Sequence, residues 1–414
     1  MDQARAAQQR RVIKVGTSLL RGDSQRPTAA VIADLAASLA RRRHKGDVFA
    51  LVTSGAVGLG CQALALARRP GDVVALQAAA AVGQGHLMAL YQDAFAVRGL
   101  TVAQVLLTRG DLASRGRYRR ACRTLEQLLA WEVIPIINEN DTLATDELRF
   151  GDNDTLSALV AVAVGAQELV LLTDVDRLYS GDPRHVPQAR PILEVWGPEE
   201  IDQLQGVAGA GGRWGTGGMG TKLTAARIAT ASGVKVRLAD GRDPTVLDAL
   251  LAGEPVGTLF HPSLTPLSDR KGWLAHALLP AGSLRLDAGA ERALVHKGAS
   301  LLAVGIQAVE GSFSRQQPVR LLAPDGRELG RGLSEFSSDE LRQILGLSSD
   351  EIRERLGAIS EEVVHRDQLV LNRVSSQEIE PADTKAADAR AAHTRAADAS
   401  AADARAALTR DPDS

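Results

Sequence analysis

Five short stretches of this chain are almost purely apolar, and each runs straight into glycine, a small polar group or a carboxylate. They read VIKVG (12–16), VFALVTSG (48–55), VIPIIN (133–138), LVLLTD (169–174) and VKVRLAD (234–240), with TVAQVLLT (101–108) as a more mixed companion. An apolar run without alternation is what a strand shows when both of its faces are covered, the condition of a parallel sheet lying between helices. Helical periodicity fills the intervals at 28–43, 114–130, 153–165 and 219–232, and an Ala-rich helical region extends from 56 to about 98. Strand followed by helix, repeated, is the pattern of crossover-linked parallel strands. The predicted class is α/β, a three-layer sandwich with an open, mostly parallel sheet.

The pattern changes after the FHP at 260–262, where a segment without clean period leads to Gly282. Beyond it, short apolar runs are separated by Gly and Asp-Gly turns, and PDG (324–326) lies between VRLLA and RELGRG as a hairpin signal. This predicts a second, small, mainly β domain with a short helix at 338–345 and a closing strand at LVL (369–371). From Ala386 the text becomes the quasi-repeat AADAR AAHTR AADAS AADAR AALTR. A period of five sweeps its few apolar side chains around a helix axis and leaves no stripe to bury. The expected organisation is therefore a first domain over 8–268, a second over 280–372, and a disordered, low-complexity Ala/Asp/Arg-rich tail over 373–414.

Lys plus Arg total 48 against 50 Asp plus Glu, a formal net charge of −2, which gives no large basic field for wrapping nucleic acid. With Cys61 and Cys122 alone, a disulfide framework and a Cys-rich zinc site are both excluded. The eight histidines form no H-E-x-x-H pair, no G-x-S-x-G elbow is present, and GAVGLG lacks the acidic partner of a dinucleotide fingerprint. No apolar run approaches the ~18 residues of a membrane span, and the opening MDQARAAQQRR has no apolar signal core, so a soluble cytoplasmic protein is expected.

The chemistry concentrates at the strand ends, where open parallel sheets bind their ligands. KVGTS (14–18) places Lys14 in the last turn of the first strand, followed by backbone N–H groups and hydroxyls suited to an anion. TSGAVGLG (53–60) repeats the arrangement with Ser54 and Gly55. The densest polar cluster is NENDTLATDELRFGDND (138–154). A helix N-cap accounts for one of its carboxylates, not for Asp141, Asp152 and Asp154 together. Carboxylates at the mouth of a sheet require cations: a substrate ammonium, Mg²⁺ or catalytic lysines. LLTD brings Thr173 and Asp174 to another strand end, and GTGGMGTK (215–222) opens a helix with a Gly-rich loop in which Lys222 joins the free N–H groups. Two lysines, two glycine-rich loops and a knot of carboxylates suit phosphoryl transfer from ATP-Mg, which is mostly positioning and charge neutralisation. The lack of an obvious general base fits an acceptor that needs no deprotonation, such as a carboxylate of pKa near 4.

KVGTS, TSGAVGLG, NENDTLATDELRFGDND, LLTDVDRLYSGDPR and GTGGMGTK stand in the order and spacing of the amino acid kinase family, and resemble its glutamate 5-kinase branch. LRLDAGAERAL, GIQAVEGSF, GRGLSEFSSDEL and HRDQLVL resemble a PUA domain, a small β barrel. The resemblance implies the amino acid kinase fold and ATP-dependent phosphorylation of the γ-carboxylate of L-glutamate to L-glutamyl 5-phosphate, the first step of proline synthesis. It implies catalytic roles for Lys14, Asp154 and Lys222, with Asp154 orienting the lysines. Glutamate binding falls to Ser54, Asp141 and Asn153. The nucleotide falls to Lys14, Thr173, Asp174 and the loop Thr216, Gly217, Gly218, Met219, Gly220, Thr221 and Lys222. ATP and Mg²⁺ are the implied cofactors, with Mg²⁺ carried by ATP and no dedicated protein ligand. Proline as inhibitor, a homodimer or homotetramer, and delivery of the acyl phosphate to glutamate-5-semialdehyde dehydrogenase (γ-glutamyl phosphate reductase) also follow from it.

The chain departs from the family pattern at Arg177, where Gly is usual beside the expected adenine pocket, and in SRQQPV (314–319), which lacks the usual Gly-Asp. Residues 280–372 hold 11 Lys or Arg against 14 Asp or Glu, and a net −3 argues against avid RNA binding. Two other readings remain at this stage: the same fold acting on another acid or a nucleoside monophosphate, and an RNA-binding regulator without catalysis.

Overall fold

The computed structural model describes residues 9–22, 26–108, 111–112, 115–143, 153–209, 218–266, 280–347 and 362–371. The first half of the larger domain runs β1 (Arg10–Val15), α1 (Thr17–Leu20), α2 (Thr28–Arg43), β2 (Val48–Val52), α3 (Ala56–Ala63), α4 (Val73–Ala96), β3 (Val102–Leu107), α5 (Arg115–Ala130) and β4 (Ile134–Glu139). It continues through α6 (Asn153–Ala163), β5 (Glu168–Thr173), the short β6 (Leu178–Tyr179), β7 (Pro191–Ile192) and β8 (Glu194–Trp196), then α7 (Gly197–Gly209), α8 (Gly218–Ala231), β9 (Lys235–Asp240), α9 (Pro244–Ala252) and β10 (Thr258–His261). Eight strands form one sheet in the order β3-β4-β2-β1-β5-β9-β10-β8. The first six are parallel; β10 runs antiparallel to β9 and pairs in parallel with β8.

Alternation along the strands divides their side chains between two cores. Val12, Ala50, Val52, Leu169 and Leu171 pack under α6 and α8, with Leu156, Leu159, Leu223 and Ala226 above them. Ile13, Phe49, Leu51, Val170 and Leu172 face the other way, against Ile32, Leu39, Leu87, Tyr91, Phe95 and Leu250 of α2, α4 and α9. Both faces are therefore covered, and the three layers and mostly parallel sheet inferred from the strand sequences are present. Lys14 shares the face of Val12, so its side chain rises on the α6/α8 side.

The Ala-rich region from 56 to 98 is two helices, not one. The chain breaks over residues 64–72, where Ala65 takes a positive φ of 50°, and α4 restarts with the Asp72 carboxylate accepting from the Ala75 N–H at 2.8 Å. The two helices touch backbone to backbone. A Cβ on Gly60 would stand 1.8 Å from the Ala79 carbonyl oxygen, and one on Gly83 1.8 Å from that of Ala56. The expectation that no segment approaches a membrane span needs correction. α4 is long enough, with a mean hydropathy of 1.4, to pass by length and composition. Its apolar character comes from valines and leucines as well as alanines; Leu87, Tyr91 and Phe95 are packed into the sheet core, while Val74 and Val82 are exposed.

The C-terminal part comprises β11 (Gly282–Leu286), α10 (Ala288–Lys297), β12 (Leu301–Leu302), β13 (Ile306–Gly311), β14 (Pro318–Leu322), β15 (Glu328–Leu333), α11 (Ser338–Ile344), β16 (Glu362–Val364) and β17 (Leu369–Leu371). Five strands pair in the order β13-β11-β14-β15-β17, and β12 pairs with β16. The hairpin turn at 324–326 forms, with Gly326 at φ 87° and the Asp325 carboxylate accepting from the Arg327 N–H at 2.9 Å. α11 opens with a capping box between Ser337 and Glu340. Leu284, Val319, Leu321, Phe336 and Leu341 make a separate core, while Leu333 and Val370 join the core beneath α6 and α8. The tail foreseen after residue 372 lies outside the described residues.

Candidate active site

β1 delivers Lys14 to the carboxyl edge of the sheet, under the first turns of α6 and α8. Asp154 sits in the first turn of α6, where a helix N-terminus favours a carboxylate. Its Oδ1 lies 2.5 Å from Lys14 Nζ, and its Oδ2 lies 3.2 Å from Lys222 Nζ and accepts from Thr221 Oγ1 at 2.9 Å. Lys222 Nζ also donates to the Gly218 carbonyl at 2.9 Å, so the start of α8 is tied to its own lysine. The side chains of Lys14, Asp154 and Lys222 are 6%, 2% and 12% exposed, which places all three out of bulk water. Burial pushes the Asp154 carboxyl up, but the charges of Lys14 and Lys222 and hydrogen bonds from Lys14 and Thr221 outweigh it and leave its pKa below the usual value. Two ammonium groups thus share one ionised carboxylate. The excess of one positive charge, in a site of low dielectric, is suited to a phosphoryl group.

A second cluster lies on the β2/β4 side of Lys14. Asn153, the first residue of α6, donates through Nδ2 to the Thr53 carbonyl at 2.6 Å, to Ser54 Oγ at 2.9 Å and to Asn138 Oδ1 at 2.9 Å. Gly55 holds the strand-to-helix turn at φ 97°, a conformation that costs a side-chain-bearing residue strain, and so presents Ser54 at the sheet edge. Ser54, Asn138, Asp141, Asn153 and Lys14 line one open cleft of about 540 Å³. Arg21 and Arg69 stand on the rim of the same cleft.

On the β5 side, Thr173 ends its strand buried and donates to the Asp174 carboxylate at 3.1 Å. The next strand edge is fixed by Gly241 N–H donating to the Thr173 carbonyl at 2.8 Å. The strand order itself therefore sets out the site: Asp141 after β4, Ser54 after β2, Lys14 on β1, and Thr173 with Asp174 after β5. Arg177 has no positive φ and pairs with Asp176 at 2.8 Å. Of the Gly-rich loop, Gly218, Met219, Gly220 and Thr221 form the first turn of α8; Thr216 and Gly217, and Asp152 of the acidic cluster, lie outside the described residues.

Lys14, Asp154, Thr221 and Lys222 are brought into direct contact, as are Ser54 and Asn153, and Asp141 shares their cleft. Thr173 and Asp174 touch each other at the neighbouring strand end. Gln84, which receives a hydrogen bond from Asn138 Nδ2 at 2.8 Å, and the two rim arginines escaped the sequence reading. Gln84 lay in a run taken only as Ala-rich helix, and nothing in the local sequence marks its partner 54 residues away.

The sequence model of the Amino acid kinase family matches residues 9–240, and that of the PUA domain matches 282–356. The glutamate 5-kinase of Parasynechococcus marenigrum is 62% identical over 361 residues, covering 87% of this chain and 98% of that protein. The glutamate 5-kinase of Synechococcus elongatus is 52% identical over 363 residues, covering 87% and 99%. Among solved structures, carbamate kinase from Giardia lamblia bound to AMP-PNP shares 19% identity at a TM-score of 0.46, over 62% of this chain and 99% of that one. With more than half of its length matched and relatives this similar over nearly their whole extent, the chain belongs to the amino acid kinase family, in the glutamate 5-kinase branch, and carries a PUA domain.

Proposed function

We propose that this chain transfers the γ-phosphoryl group of ATP to the γ-carboxylate of L-glutamate, giving L-glutamyl 5-phosphate for proline biosynthesis. The observation that carries the reading is the Lys14–Asp154–Lys222 ladder, placed between the acceptor cleft on the β2/β4 side and the β5 edge. A carboxylate oxygen of the acceptor attacks the γ-phosphorus, a new O–P bond forms, and the bond to the β,γ-bridging oxygen breaks with its electron pair leaving on ADP. The acceptor is already ionised at neutral pH, so no residue needs to remove a proton. Lys14 and Lys222 neutralise charge on the transferring group, and Asp154 holds both at the required separation. Ser54 and Asn153 hold the acceptor, with Asp141 placed for its ammonium. Arg21 and Arg69 supply cations for its second carboxylate.

Thr173, Asp174 and the loop from Thr216 to Lys222 take the nucleotide. Mg²⁺ arrives on the phosphates, and the excess positive charge of the ladder suits a polyphosphate that brings its own counterion. Proline shares the ammonium and α-carboxylate of glutamate and would compete in the same cleft. Association of copies into a homodimer or homotetramer belongs to the same reading. The acyl phosphate is labile in water, which favours direct use by γ-glutamyl phosphate reductase in the cytoplasm. ATP consumption by the purified protein with L-glutamate, L-aspartate, N-acetylglutamate and UMP tests the reading. Turnover with glutamate alone supports it, and turnover with UMP or with N-acetylglutamate in preference to glutamate rejects it.

A further inference from the structure

The side-chain amides around the acceptor cleft form a chain whose orientation is dictated by two backbone groups. The Thr53 carbonyl can only accept, so the amide of Asn153 must turn Nδ2 toward it. The Glu139 N–H can only donate, and it lies 3.0 Å from Asn138 Oδ1, so Asn138 must turn its oxygen that way. Asn138 Oδ1 then receives Asn153 Nδ2, and Asn138 Nδ2 is left to find an acceptor, which Gln84 Oε1 supplies. Asn138 is 2% exposed, so its amide has no recourse to water. At the far end of the chain, Asn153 Oδ1 is buried and has no hydrogen-bond partner among the described residues. An acceptor left unmade in a cleft wall is a place for a ligand donor.

We propose that Gln84 is a positioning residue for acceptor recognition: by holding Asn138 Nδ2, it keeps the carbonyl oxygen of Asn153 available to the acceptor's ammonium. The proposal rests on the reading of this cleft as the acceptor site and extends it to a residue on α4 that touches no substrate. Without Gln84, the buried Asn138 amide has one unmet donor, and the Asn153 amide bonded to it carries an unmet acceptor, Oδ1. The two would satisfy each other, and the ammonium would keep Asp141 but lose the Asn153 carbonyl. α4 is built to deliver Gln84. The Gly83 contact with the Ala56 carbonyl brings the helix against α3, and two turns later the Tyr91 hydroxyl bonds Thr53 Oγ1 at 2.8 Å, bracing the segment that carries the Thr53 carbonyl.

The test compares glutamate with glutarate, the same diacid without the ammonium. The KM for glutamate, the KM for ATP and the inhibition constant of glutarate against glutamate are measured for the parent chain and for Gln84→Met, with Gln84→Ala as the substitute if the methionine variant is not recovered folded. The expected result is a rise of at least tenfold in the glutamate KM, with the ATP KM and the glutarate constant each within threefold of the parent. A glutamate KM within threefold of the parent overturns the proposal, and so does a parallel rise for glutamate and glutarate, which would mark Gln84 as a packing residue only. A parent chain that does not phosphorylate glutamate removes the underlying reading and this proposal with it.

Discussion

Changing Asp154 to Asn removes the one counter-charge between two buried ammonium groups. Lys14 and Lys222 would then face each other with side chains 6% and 12% exposed, in a medium where repulsion is weakly screened. Breaking a buried ion pair by deleting one partner costs about 3–5 kcal/mol, because the other charge is left uncompensated. At roughly 2–4 °C per kcal/mol for a domain of this size, Tm should fall by roughly 6–20 °C. The amide still accepts from Thr221, so little of that loss comes from packing. The phosphates of ATP-Mg bring negative charge to the same place and should return more stability to the variant than to the parent. The activity should fall by about 10²–10³, the usual cost of losing one preorganised charge at a transition state. Thermal unfolding followed with and without ATP-Mg, together with kcat, checks both. A variant with parental Tm and a kcat within tenfold of the parent would refute the claim that Asp154 organises the lysines.

The low pKa of Asp154 fixes a pH window. The unfolded carboxyl titrates near 4 and the folded one lower, so its stabilising contribution is complete above the unfolded value and is lost as pH falls through the folded value. Tm measured from pH 7 down to pH 3 should therefore show the gap between parent and Asp154→Asn narrowing only below pH 4; a constant gap would contradict the assignment. In Gly83→Ala the new methyl would stand 1.8 Å from the Ala56 carbonyl oxygen, forcing α3 and α4 apart at a cost of about 1–3 kcal/mol. Calorimetry should register the lost stability, and displacement of Gln84 and Tyr91 should raise the glutamate KM more than the ATP KM. Arg69→Ala should raise the glutamate KM about three- to tenfold at unchanged Tm, the modest loss expected of an exposed cation, and an unchanged KM would remove Arg69 from the acceptor site.

The strands and the residues gathered at their ends were legible because each is marked locally. A strand covered on both faces has to be apolar throughout, and its polar terminator then marks the edge where ligands gather, which is how Lys14, Ser54 and Thr173 stand out. Asp154 and Lys222 announce themselves as charged residues opening helices. The strands β10 and β8, at one end of the sheet, lack such runs, since His261 and Glu194 belong to them, and they were missed. The division of 56–98 into two helices is marked in the sequence by Pro70-Gly71, a turn signal, and by Asp72, the N-cap of α4, and this mark was passed over. How closely α3 then packs on α4 is a tertiary fact, the backbone contact at Gly60 and Gly83. Gln84, Arg21 and Arg69 were invisible for the same reason: each acquires its meaning from a partner or cleft supplied by a distant part of the chain. Leu333 and Val370 belong to strands of the smaller domain, yet they pack into the core of the larger one.

The central claim is that this site phosphorylates a carboxylate through the Lys14–Asp154–Lys222 ladder, and the most direct test traps the product. With ATP, Mg²⁺, L-glutamate and hydroxylamine, the parent chain should form γ-glutamyl hydroxamate in proportion to ADP, and Lys222→Ala should form almost none while keeping the parental fold. ADP release without hydroxamate, or hydroxamate formed equally well by Lys222→Ala, would contradict it.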